Sequence, residues 1–513
     1  MRSEYSIQRL SVSIMLITLL SKLLGFCREL FFSYHFGATG AADAYIFSLT
    51  VSTILFGFIG SGMKTSFVPV YTQLQEKEGT AAANRFTNQI LTLYLLISTV
   101  LILLMEAKTG WIVKLLASGF DADTTEIAVK FCRFSVLTIV ATGFVGIMSG
   151  LLQSNGSYLP AAAVGLPLNA ALIISIVLSK GNDYSVLGIG SVVASYLQVI
   201  ILIPWTIKAN YYYKPSFHFQ NESIKEVLCL SGPIILSASV NQLNVLIDKS
   251  LASNVVGGIS TMNYAHTVIS IINDVVTAAF ATALYPRLSA AYARGDEQKS
   301  NSYLQETLAS LMSLLIPMTV GLLLCCKEIV QILFERGAFS DDAAQITSAV
   351  LFCYALGIPF VGIRQILIRF FYSRHDTRTP TRNAACAVCI NIALNYPLMK
   401  IMGIRGLALA TSISAVAADY LLWKSAKKTS KFQMTPQSKS QIIRTALCAA
   451  FMGVTAFFAR STLINRWNIY FVFGVTVFIS ILAYGVVGKL MHLELIDTIL
   501  LHMRRKNETE GSI

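Results

Sequence analysis

The chain has 513 residues, of which 54% are hydrophobic and only 13% charged, with a formal net charge of +13 and a mean hydropathy of +0.62. A soluble chain of this length needs far more charge to cover its surface, so lipid must replace water over most of it. The positive balance does not mark a nucleic-acid binder, because the basic residues fall mainly in short loops between apolar runs and not in one stripe.

In chain order, the runs read as membrane spans lie at 10–32, 44–70, 86–105, 131–152, 158–178, 187–207, 227–252, 259–284, 304–326, 343–371, 383–402, 407–423, 442–458 and 469–490. The fold expected is therefore an all-α integral membrane protein of about fourteen transmembrane helices. Arg2 and Arg9 precede the first run, but that run is long, carries Lys22 and Arg28, and lacks an A-x-A site. It is read as a spanning helix and not as a cleavable signal. The eighth run is rich in Ser, Thr, Asn and Ala, so it must face other helices or a cavity.

Loop charge sets the orientation. With the N-terminus inside, roughly 22 Lys and Arg fall in cytoplasmic segments and roughly 9 outside, including none between Ser33 and Ala42. Both termini are expected in the cytoplasm. The nine cysteines lie in or beside apolar runs and behave as small hydrophobes. Cys386 and Cys389 form a C-x-x-C without a second pair, which does not make a metal or redox site.

The chain also repeats itself. Pro69 matches Pro286, Gly79 matches Gly295, Pro160 matches Pro380, Asn169 matches Asn391, Gly188 matches Gly406 and Trp205 matches Trp423. The offset stays near ~220 residues, about six helices, so the two halves insert in the same orientation, as in transporters with parallel repeats. The expected domains are an N-terminal lobe (1–215, helices 1–6), a C-terminal lobe (216–432, helices 7–12), and helices 13–14 with a cytoplasmic tail (433–513).

Ionisable residues inside spans are costly and usually face protein or water. The cations are Lys22, Arg28, Lys64, Lys249 and Arg364, with Arg369 nearer the inner interface; the acids are Glu29, Asp43, Asp248, Asp274 and Asp419. Two readings stand. The acids lock neighbouring cations into helix contacts, or the cations together line an anion-accepting cavity that Glu29, Asp43 and Asp274 support. The stretch "GFIGSGMKTS" (57–66) is not a phosphate loop, because Met63 separates Gly62 from Lys64 and the run is an apolar span. No convergent catalytic set is visible, so a transporter is expected and not an enzyme.

Three stretches resemble the lipid II flippase family of peptidoglycan synthesis, the MurJ/MviN group of the polysaccharide-exporter superfamily. They are "SKLLGFCREL" (21–30) with "FGATGAADAY" (36–45), "FVPVY" (67–71), and "LFERGAFSDDAA" (333–344) through "YALGIPF" (354–360) to "FYSRHDTRTPTRNA" (371–384). The resemblance implies two parallel-oriented six-helix lobes around a cationic cavity, plus two C-terminal helices forming a lipid-side groove. It implies alternating-access transport of lipid II, an undecaprenyl-diphosphate-linked glycan, from the inner to the outer leaflet of the bacterial cytoplasmic membrane. Membrane lipids and the cell-wall synthesis machinery are the implied partners, and nucleic acid is not.

By the same resemblance Lys22 and Arg28 take the places of cavity arginines in the first span. The chain departs from the pattern with Leu55, Phe56 and Gly60 in span two and Thr267 after His266 in span eight. A sodium ion is implied at Asp248, Asn391, Asn395 and Thr411, with interhelical amide hydrogen bonds as the alternative; no other cofactor is expected. The alternative functions are a flippase for a capsule or O-antigen unit and a drug/cation antiporter, which needs an acidic cavity where this chain supplies cations.

Overall fold

A computed structural model describes residues 2–179, 184–219, 222–430, 432–464 and 466–497, and every regular element among them is a helix. In chain order these are α1 (Arg2–Phe36), α2 (Gly40–Glu78), α3 (Thr80–Leu116), α4 (Ala122–Ser154), α5 (Leu159–Ala163), α6 (Gly165–Leu178), α7 (Ser185–Lys208), α8 (Glu222–Ala252) and α9 (Gly258–Ile272). A π-helical turn, Asn273–Thr277, leads into α10 (Ala278–Ala293). Then follow α11 (Glu297–Phe334), α12 (Asp341–Ala355), α13 (Ile358–Tyr372), α14 (Arg378–Met402), α15 (Ile404–Ser430), α16 (Pro436–Leu463) and α17 (Ile469–Leu490).

Each run predicted to span lies in one of these helices or in a broken pair: α5 with α6, α9 with α10, α12 with α13. Among the described residues, ten helical segments are long and apolar enough to cross a membrane, and α12–α13, bent by 44°, makes eleven. The remaining predicted runs are α1, α2 and α8, which carry intramembrane charge. The expected class, an all-α membrane protein, is the one observed.

The chain forms two compact units: Met1–Ser260 with Gly337–Ser340, and Thr261–Arg336 with Asp341–Ile513. In the first, α2 packs on both α4 and α8, α4 packs on α3 and α7, and α6 joins α1 to α7. In the second, α11 is the hub for α10, α12, α13, α16 and α17, while α15 gathers α12, α13 and α14.

The motif residues do physical work at breaks in this framework. In "YALGIPF", Pro359 supplies no N–H at the start of α13. The Gly357 N–H turns back to Tyr354 O (2.9 Å). That leaves the Cys353 carbonyl to accept the Ser412 hydroxyl from α15 (2.7 Å). A Cβ at Gly357 would stand 2.8 Å from that same hydroxyl oxygen, so the glycine admits the partner that the bend requires.

"FGATG" and "RGAF" meet within the first unit. The Ala338 N–H donates to Tyr34 O (2.8 Å), and Gly37 and Gly337 both take left-handed φ, 59° and 63°. In "RHDTRTP", the Asp376 carboxylate accepts the Thr379 N–H (2.9 Å) at the start of α14. Burial pushes that carboxyl up, but the hydrogen bonds from Thr379 and the charge of Arg378 outweigh it and hold it below the ordinary range.

Two predictions follow from these turns. A Cβ at Gly337 would lie 2.3 Å from Tyr34 O, whereas Gly295, at φ 70°, has nothing within 4 Å. Gly295→Ala should therefore cost only backbone strain, about 1–3 kcal/mol, and Gly337→Ala clearly more. Thermal midpoints of the two purified variants measure the difference; equal losses refute it. The Asp376 contribution is complete above the unfolded carboxylate range, about 3.9, and is lost as pH falls through its lower folded value. Asp376→Asn should flatten that acid limb of the stability profile and leave neutral stability slightly reduced.

Candidate functional site

The first unit gathers most of the predicted intramembrane charges. Arg28, near the end of α1, is half-buried; its Nη2 pairs with Glu29 Oε1 at 2.5 Å. Its Nη1 donates to Asn169 Oδ1 on α6 at 3.2 Å. The Asn169 amide is itself fixed, donating to Gly165 O (2.9 Å) and Ser21 O (3.2 Å). One asparagine thus ties α6 to the guanidinium and the backbone of α1.

Lys249 on α8 donates from Nζ to Thr50 Oγ1 on α2. Glu29 and Asp43 both act on Lys249 electrostatically. Asp43, at the start of α2, is fully buried and accepts the Ser260 N–H at 2.7 Å. Two cations and two acids on α1, α2 and α8 therefore form one electrostatic cluster.

The other predicted residues are placed as follows. Lys22 is exposed on α1, and Asp248 is buried on α8 next to Lys249. The side chain of Lys64 lies outside the described residues. In the second unit, Asp274 is exposed on the π turn, and Arg364 on α13 has Asp419 of α15 as its charged neighbour. Both Asp419 oxygens are buried without a hydrogen-bond partner.

Asn395 donates to Asn391 Oδ1 (3.1 Å), and Asn391 donates to Thr411 Oγ1 (3.5 Å), forming a relay between α14 and α15. The Asn391 and Thr411 oxygens are therefore engaged as acceptors inside this seam. Each of these oxygens keeps a second lone pair for a further donor or cation.

Sequence reasoning did not assign Asn169 or Thr50 to the site. Only the repeat pointed to Asn169, through its match to Asn391; Thr50 carries no signal, being one of many hydroxyls in α2.

A second feature lies within the second unit. α11, α16 and α17 enclose a groove of about 670 Å³, lined by Leu314, Pro317, Gly321, Met452, Phe473 and Val477 among others. The helices that wall it are fastened by a Glu328–Arg460 ion pair (2.5 Å) and by the Tyr484 hydroxyl on Ser313 O (2.7 Å). Such a groove suits a long hydrocarbon chain and offers a charged headgroup nothing.

A Cβ at Gly321 meets nothing within 4 Å. Gly321→Leu should therefore fill part of the groove while leaving the unfolding free energy within about 0.5 kcal/mol of wild type. Cross-linking of a photoactivatable long-chain lipid to α17 should fall several-fold; unchanged cross-linking shows the groove is not a chain site.

A family model described as lipid II flippase MurJ matches residues 32–478. The "Probable lipid II flippase MurJ" of Rickettsia prowazekii is 26% identical over 453 residues, covering 87% of this chain and 89% of that protein. That of Thermotoga maritima is 24% identical over 485 residues, covering 94% and 96%. Among solved structures, a lipid II flippase MurJ in an inward closed conformation superposes with a TM-score of 0.81 at 24% identity, covering 94% of this chain and all of that one. An inward-facing multidrug resistance MATE transporter of the MOP superfamily gives 0.70 at 13% identity, covering 82% and 99%.

Proposed function

Because this chain belongs to the lipid II flippase MurJ family, we infer that it carries lipid II across the bacterial cytoplasmic membrane, from the inner to the outer leaflet, by alternating access. The observation that carries the reading at the level of chemistry is the Arg28 cluster. A diphosphate is a strong, multiply charged acceptor, and a guanidinium fork is the side chain best matched to it. Arg28 is oriented by Asn169 and Glu29, and Lys249 supplies a second cation on a neighbouring helix of the same unit.

The apolar groove of α11, α16 and α17 supports a division of labour. The polyprenyl chain stays in an apolar seat or in lipid while only the headgroup needs a polar path. An antiporter exporting cations would place acids where this cluster places Arg28 and Lys249. Lys22, Lys64 and Arg364 belong to the same proposal as further basic groups in the spans. No bond is made or broken, and the drive comes from the substrate gradient and the membrane potential, which is worth about 2.3 kcal/mol per charge per 100 mV.

Both termini are proposed to be cytoplasmic, supported by loop charge. In a chain whose nine native cysteines are replaced, a cysteine replacing Lys428, exposed at the end of α15, should react with a membrane-impermeant thiol reagent only after the cells are permeabilised. Labelling of intact cells overturns the orientation.

Arg28→Ala should slow lipid II flipping in reconstituted vesicles by about 10- to 100-fold, the loss of one charge-assisted hydrogen-bonding group. Arg28→Lys, which keeps the charge and loses the fork, should fall between. Depletion of the protein from cells should make lipid II build up on the inner side, whereas accumulation of a different polyprenyl-linked glycan assigns another cargo. Wild-type flipping by Arg28→Ala refutes the role of the cluster.

A further inference from the structure

The segment between α7 and α8 reads in sequence as a plain basic loop, "KANYYYKPSFHF" (208–219). Its geometry is that of a strap. α7 ends in a Schellman turn, with Tyr211 N donating to Thr206 O and Asn210 N to Ile207 O (both 2.9 Å). Asn210 supplies the left-handed residue at φ 55°.

From there the chain climbs α3 by a series of hydrogen bonds. Asn84 Nδ2 donates to Asn210 O (3.2 Å). The Tyr211 hydroxyl and the Lys214 N–H both donate to Asn88 Oδ1 (2.8 and 3.1 Å). The Ser216 N–H donates to Thr92 Oγ1 (3.1 Å), and the Tyr213 hydroxyl meets the same oxygen at 3.0 Å. Positions 84, 88 and 92 are successive turns of one helix face, so the strap rises about 12 Å along α3. It ends at Thr92, where the apolar run at 86–105 has already started.

The outer face of the strap carries the argument. On α3, Leu96 and Leu103 lie within about 40° of Thr92 around the helix. The strap covers Asn84, Asn88 and Thr92, while Leu96 and Leu103 beyond it are exposed in the manner of a lipid-facing surface. Tyr212 and Phe217 point outward, 61% and 65% exposed, and so continue that surface where polar Asn88 and Thr92 would interrupt it. Basic groups alternate with the aromatics. Lys214 is exposed on the strap, Arg85 is exposed on α3, and Lys208 lies 5.5 Å from the Trp205 ring. Aromatic rings interleaved with lysines at the end of an apolar run match the border of a bilayer, where rings seat among headgroups and cations meet phosphate.

We propose that residues 209–219 form a membrane-seated strap whose outer face binds anionic phospholipid headgroups, with Tyr212 and Phe217 inserted at the interface and Lys208, Lys214 and Arg85 on the phosphates. The inference of a headgroup site stands apart from the transport reading. Only the assignment to the inner leaflet rests on the proposed orientation.

The test places a reporter on the strap. In a full-length chain with Trp111, Trp205, Trp423 and Trp467 changed to Phe, Phe217→Trp is the sole tryptophan. It is reconstituted in phosphatidylcholine bilayers containing phosphatidylglycerol, with one or the other lipid brominated near the headgroup end of its chains. The expected result is strong quenching by brominated lipid, weak quenching by aqueous iodide, and stronger quenching by brominated phosphatidylglycerol than by brominated phosphatidylcholine at equal fraction. Adding Lys208→Gln and Lys214→Gln should erase that preference, by about fivefold for each lysine.

Iodide quenching as strong as that of free tryptophan, without lipid quenching, overturns the seat. Equal quenching by the two lipids overturns the headgroup site. Should Phe217→Trp disturb folding, as read by circular dichroism, Tyr212→Trp reports the same face with the same expected and contrary outcomes. Flipping rates play no part in the readout, so a failure of the transport reading leaves this result interpretable, and the converse holds as well.

Discussion

Hydrocarbon offers no hydrogen-bond partner, and most of this molecule is an answer to that constraint. A polar group placed inside a span is costly unless the protein itself supplies its partner. Arg28 finds Glu29 and Asn169, Asp43 finds the backbone of Ser260, and Lys249 finds Thr50. These pairings connect helices that are distant in sequence, so the charges that mark the site also determine which helices lie together. The first unit is organised around them, with α2 held against α8 on one side and α4 on the other.

In the second unit, neutral groups meet the same constraint in one seam, beside the Glu328–Arg460 ion pair that joins α11 to α16. The seam of α14 and α15 carries Asn391, Asn395 and Thr411 in a relay, and α15 gives a hydroxyl to the bent segment at Gly357. The matching residues of the two halves have diverged in what they serve. Asn169 orients an arginine, whereas its counterpart Asn391 bonds to another amide and a hydroxyl. Gly79 and Gly295 retain a common task, since both adopt positive φ at the turn into a third helix, at 85° and 70°.

The sequence made the elements legible because their signal is local. An apolar run of about twenty residues has one stable form in lipid, and every predicted run proved helical. The breaks were less visible. The bend at Gly357 depends on the Ser412 hydroxyl of α15, and no window of sequence contains both partners. The same limit applies to the site. Arg28 and Glu29 stand out as charges in an apolar run, but Asn169 lies 141 positions from Arg28 and reads alone as an unremarkable amide. The loop at 208–219 was recognised by its charge and not by its height on α3, because that height is set by Asn84, Asn88 and Thr92.

The pairing of Arg28 has a consequence for turnover. A bare guanidinium in a dry site would seize any phosphate and hold it. On the proposed reading, an incoming anion displaces a carboxylate and an amide that already occupy the fork, so capture is an exchange of one set of acceptors for another and its net free energy is a small difference of large terms. Glu29 is then a built-in competitor, always present at high effective concentration and ready to reclaim the arginine as the cargo departs. On the same reading, residence times are short, and the strength of the grip does not limit the speed.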